Sequence, residues 1–143
     1  MTALFTFLLL LAQAAPPGLD QIRADANLEH RARTAVEFAA AAERNAEAAY
    51  SKGDMAALTA ELKNMVTGVE IAQQALEQTG KSALHHPGPF KSGELRTEEI
   101  LVRLDDLERR MDSGERSILE GPKMRVQEIH DAWFEGIMGK KKR

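Results

Sequence analysis

His30, His85, His86 and His130 are the side chains that change charge nearest neutral pH, and with 22 carboxylates they are the raw material for acid–base or metal chemistry. The chain has no Cys, which excludes disulfides, thiolate metal sites, iron–sulfur clusters, cysteine nucleophiles and thioether-anchored haem. A di-metal carboxylate bundle wants Glu-x-x-His on facing helices. Gln127 stands three before His130 and Asn27 three before His30, so neither histidine has that pattern. His85 and His86 are adjacent on a stretch rich in Pro and Gly, where neighbouring side chains diverge and rarely chelate one ion. His30 lies beside a helix start, a surface position. His130 falls one residue past an apolar stripe, which predicts a half-exposed flank.

No Gly-x-Ser-x-Gly elbow, phosphate-cradling Gly-rich loop or His-Glu-x-x-His occurs. The carboxylates fall almost entirely on outer helical faces, where solvation leaves them ordinary, whereas a general acid or base needs a cleft that perturbs it. The expectation is therefore a protein that is not an enzyme, with no catalytic residue, no cofactor and no metal ligand. A net charge of −3 and a pI near 5.8 lack the broad basic face of a nucleic-acid binder.

The elements that would position these residues read as helices. Asn27, a good N-cap, opens a stretch free of Gly and Pro as far as Lys52. Ala32, Ala35, Ala39, Ala42, Ala46 and Ala49 follow at steps of three and four, so one face is a stripe of small residues that a neighbouring helix can approach closely. Gly53 suits a left-handed cap and Asp54 suits the next N-cap, which forces an antiparallel hairpin. Met55, Leu58, Leu62, Met65, Val69, Ala72 and Leu76 form the second stripe, and Gly80 stops it.

The segment 80–93, with two prolines, is long for a bundle connection. It would cross the bundle end with Phe90 as anchor, or bind something. A third helix, starting near Ser92, aligns Thr97, Ile100, Leu104, Leu107 and Met111. Its outer face is laced by Glu99–Arg103, Asp105–Arg109 and Asp106–Arg110. Asp112 and Glu115 form a capping-box pattern before a fourth helix with Leu119, Pro122, Val126, Ile129, Trp133 and Ile137 on one face. That period runs through Gly121-Pro122, so one kinked helix is expected. No segment alternates with a period of two, and the expected fold class is all-α: a four-helix bundle preceded by a signal-peptide helix.

The first fifteen residues give the address. Ala3 to Ala12 is a ten-residue run, apolar except for Thr6, and Ala12-Gln13-Ala14 closes it with small-x-small. That is a secretory signal pattern, with cleavage after Ala14 or Ala15; a bilayer span needs about 20 apolar residues. The expected organisation is a signal peptide at 1–14, a linker and short lead-in at 15–26, and a bundle over 27–139. Its helices lie at about 27–52, 54–79, 93–111 and 113–138, before a basic tail at 140–143. The expected localisation is exported, periplasmic or secreted, with no transmembrane anchor expected after cleavage.

Three features could carry an interaction. Taking Lys140, Lys141, Lys142 and Arg143 from the 19 bases leaves 15 against 22 acids, so the rest of the chain stands at −7. Phe134 and Met138 border the Trp133–Ile137 stripe as a candidate apolar patch. The 80–93 loop is the third. Phe134, Met138 and the four tail cations together form the candidate contact surface for an unknown protein or envelope component, and an oligomer is compatible with it.

Ala49-Tyr50-Ser51-Lys52-Gly53-Asp54 resembles the turn between the two helices of a tetratricopeptide repeat, which often reads Tyr-x-x-Gly-Asp. The resemblance covers one hairpin. Leu58 stands where that family expects a small residue, and no repeat of about 34 residues recurs. More broadly, the signal, the alanine-rich hairpin, the Pro-rich loop and the ending Val126–His130 to Gly136–Gly139 with its basic tail are similar to small exported bacterial helical proteins of unknown function. That resemblance implies no activity. The functional expectation is an exported helical interaction or structural module. The alternatives are a ligand- or metal-binding bundle using His130, His85 and His86, or a tetratricopeptide-like adaptor with a concave groove.

Overall fold

The computed structural model describes residues 18–139; the expected signal segment and the tail 140–143 lie outside them. Five helices follow in order: α1 (Leu19–Ala24), α2 (Leu28–Ser51), α3 (Met55–Gln78), α4 (Pro87–Arg110) and α5 (Ser117–Met138). The protein is an all-α helical bundle, with α1 as a short lead-in that buries Ile22.

Local chemistry sets the first turn. The Asn27 side chain accepts a hydrogen bond from the His30 amide at 3.0 Å, and Asp54 does the same for Ala57 at 3.0 Å. Between them Gly53 takes φ 71°, and the Asp54 amide donates to Ala49 O at 2.9 Å while the Gly53 amide donates to Tyr50 O at 2.9 Å. This pair of bonds closes α2 in a Schellman arrangement, so α3 must return antiparallel.

Two helix starts differ from expectation. α4 begins at Pro87 rather than near Ser92. Prolines at its first turn lose only amides that have no intrahelical partner, so the Pro-rich stretch starts the helix instead of preceding it. α5 begins at Ser117, and no side chain caps it. Asp112 and Glu115 meet through a backbone bond of 2.9 Å within a turn, so the expected capping box does not form.

Around the bundle, α2 packs on α3 and α4, and α5 packs on α4 and α3. Bonds from Arg96 to Glu37, from Arg103 to Glu43 and from Tyr50 to Arg110 O advance together along both chains, so α2 and α4 run parallel. The two hairpins α2–α3 and α4–α5 therefore lie side by side in the same sense. Since α3 and α4 sit on a diagonal, segment 79–86 crosses the bundle end, burying Ala83 beside Gly136.

The core follows the three-four stripes. All six stripe alanines of α2 are buried, as are Leu58, Leu62, Met65, Val69, Ala72 and Leu76 of α3. Thr97, Ile100, Leu104 and Leu107 of α4, Met111 just beyond it, and Leu119, Val126, Ile129 and Trp133 of α5 complete it. α2 and α3 approach so closely that a Cβ on Gly68 would stand 2.8 Å from Ala35 O. The expected lacing of α4 does not form as read. Arg103 reaches Glu43 at 2.9 Å and Arg110 reaches Glu47 at 3.2 Å, because parallel α2 lies within their range.

Candidate functional site

One end of the α4–α5 hairpin gathers most of the unusual chemistry. Thr97 is buried and its hydroxyl donates to Gly93 O at 2.9 Å and Glu94 O at 3.0 Å, holding the first turns of α4 compact. Gly93 has no side chain where the Trp133 ring lies; a Cβ there would meet the ring at 2.8 Å. That contact brings α5 against α4 and turns His130, one helical step before Trp133, toward Glu94 and Glu98.

His130 is 8% exposed, not the half-exposed flank its position implied. Its Nε2 lies 3.3 Å from Glu94 Oε1 and 3.1 Å from Glu98 Oε2. Its Nδ1 lies 3.1 Å from Asp131 Oδ1, which also accepts from Gln127 at 2.8 Å. The Phe134 ring lies nearly parallel to the imidazole, with centroids 6.4 Å apart. Glu94 is buried, Glu98 is exposed, and the cluster thus has a dry side and a wet side.

A second buried carboxylate lies between the hairpins. Glu43 is fully buried among the alanines of α2, with Arg103 on one oxygen and no hydrogen bond to the other. Burial, and then the nearby Glu47 carboxylate, push its pKa up to about 7 against the pull of Arg103. Glu43 and Glu94 correct the expectation that carboxylates keep to outer faces.

The expected contact residues lie beside the histidine cluster. Phe134 is 42% exposed and Met138 is exposed too, one turn further along α5. Leu84, also exposed, lies against Gly139. Lys140, Lys141, Lys142 and Arg143 fall outside the described residues. His85 and His86 are exposed at the start of α4, and the structure does not bring them to His130. His30 is exposed and pairs with Asp25, whose carboxyl is held below its usual range by that bond.

A groove of about 480 Å³ runs between α2 and α4, floored by Ala32, Val36, Leu76 and Gly93. Arg96 spans its rim, bonding Glu37 on α2 and Glu99 on α4. Among the described residues no helix is long and apolar enough to cross a membrane. No family model, curated protein or solved structure matches the chain.

Proposed function

We propose that the chain is an exported helical interaction module whose contact surface is formed by Phe134, Met138 and Leu84, with the cations Lys140 to Arg143 following in the sequence. The observation that carries this reading is Phe134, an aromatic 42% exposed immediately after the buried Trp133. Single exposed apolar residues are ordinary, but three gathered at one bundle end and followed in sequence by four cations make a surface suited to a partner. The partner is a protein with an acidic face: apolar burial at Phe134 gives affinity, and the tail raises the encounter rate. The ten-residue apolar run and Ala12-Gln13-Ala14 support export, as Pro16-Pro17-Gly18 supports a linker before the fold. The role is binding rather than catalysis, since no motif for a nucleophile or phosphate site is present.

A photo-crosslinking residue at position 134 in the native host tests the surface, with exposed Val102 as control. Position 134 should capture an acidic protein, with capture weakened by salt and lost on deletion of 140–143. Capture of lipid instead, or equal capture at 102, overturns the reading. Intact mass from the same host should give an N-terminus at Ala15 or Pro16, and a full-length mass in the cytosol overturns export.

A further inference from the structure

Glu94 and Glu98 stand four apart on α4, an arrangement that repels on a helix unless a cation lies between them. The facing helix presents His130 to both. If the Nδ1 hydrogen of His130 is given to Asp131, as the 3.1 Å contact favours, the Nε2 lone pair faces two carboxylate oxygens. Three acceptors then converge, and what lies between them is either a proton on Nε2 or a cation that displaces it. The ligand atoms lie within 4.8 Å of one another. The Nε2–oxygen distances of 3.1 and 3.3 Å match the edges of a coordination shell with bonds of about 2.0–2.2 Å.

A second observation points the same way. The Glu94 side chain is 9% exposed, and its Oε2 accepts no hydrogen bond, the Lys91 ammonium standing 3.3 Å away and out of line. Lys91 thus supplies a charge but no hydrogen bond to Oε2, and the other oxygen of this buried, under-satisfied carboxylate, Oε1, faces His130. We propose that Glu94, Glu98 and His130 form a divalent-cation site, with Asp131 as the positioning residue that orients the imidazole. Two carboxylates and one imidazole, with no thiolate, select a first-row ion of the zinc or manganese kind. Glu98, its side chain 57% exposed, opens one side to water, so the ion keeps coordination positions for solvent. The site does not depend on the contact surface proposed for Phe134 and the tail.

The test uses the chain purified from its host, stripped with chelator, and titrated calorimetrically with zinc or with manganese. One ion should bind per chain. Glu98→Gln, a change at an exposed side chain, and Asp131→Asn should each weaken binding about 10–100-fold while the circular dichroism stays the same. His85→Ala/His86→Ala should bind as the parent does. Manganese should broaden the NMR resonances of His130 and Phe134 before those of His85 and His86. Absence of saturable one-to-one binding by either ion overturns the proposal. So does binding that Glu98→Gln leaves unchanged, or broadening that starts at His85 and His86.

Discussion

The hairpins α2–α3 and α4–α5 both place a glycine where the partner helix presses in, and they use it for different ends. In the first, Gly68 admits the backbone of Ala35 and the Cβ of Ala39, so two helices meet through small side chains with no charge in the seam. In the second, Gly93 admits the Trp133 ring, which holds His130 and Glu94 buried one helical step away. Close packing of small residues fixes a hairpin through contact alone. Seating one large ring leaves room beside it for polar groups that packing does not need. The difference teaches that the first hairpin is scaffold and the second carries the chemistry.

The strongest blow to the second hairpin is Trp133→Ala. Losing the ring opens a cavity against Gly93 and should cost about 3–5 kcal/mol in denaturant unfolding, enough to unfold a marginal domain. A loss below about 1 kcal/mol would show that the indole does not organise this end.

The seam between the hairpins is sharpened by pH. Ionised Glu43 is disfavoured in the fold, so the native chain keeps a proton that the unfolded chain releases between pH 4.5 and about 7. Stability from this group therefore falls as pH rises through that window and levels off above it. At about 1.4 kcal/mol per unit, the ceiling is about 3 kcal/mol. Glu43→Gln, which still accepts from Arg103, should remove that fall, so its advantage over the parent grows from pH 5 to pH 8. Equal pH dependence in denaturant melts of the two proteins would contradict the assignment.

Smaller effects test the first hairpin and the surface. Ala39→Leu overpacks the seam at Gly68 and should lower stability by about 1–3 kcal/mol. Phe134→Ala should change it by less than about 0.5 kcal/mol, since much of the ring is already in water. A loss at Phe134 as large as at Trp133 would make it core and leave the tail as a solubility feature.

The first hairpin was legible because its signals are local: alanines at steps of three and four, then Gly53 and Asp54 in turn positions. Gly68 carried no such signal, since close approach is a property of two helices. The start of α4 was hidden because Pro and Gly mark loops, yet the first turn of a helix accepts them. The candidate cation site leaves no signature along His130's own helix, since its partners lie on another, 36 residues away in the case of Glu94. A sequence signal did exist in the like-charged pair Glu94 and Glu98 on one face. Glu43 was hidden in the same way, since Arg103, which covers it, is 60 residues distant.

The contrast between scaffold and site is tested most directly by melting Glu94→Leu/His130→Leu beside Ala39→Leu, all in chelator. Replacing a buried polar pair by apolar side chains of similar size is often neutral or stabilising. The double variant should melt at or above the parent temperature, while Ala39→Leu melts below the parent. If the double variant instead falls as far as Ala39→Leu, the cluster of Glu94 and His130 is part of what holds the bundle together, and the second hairpin is scaffold like the first.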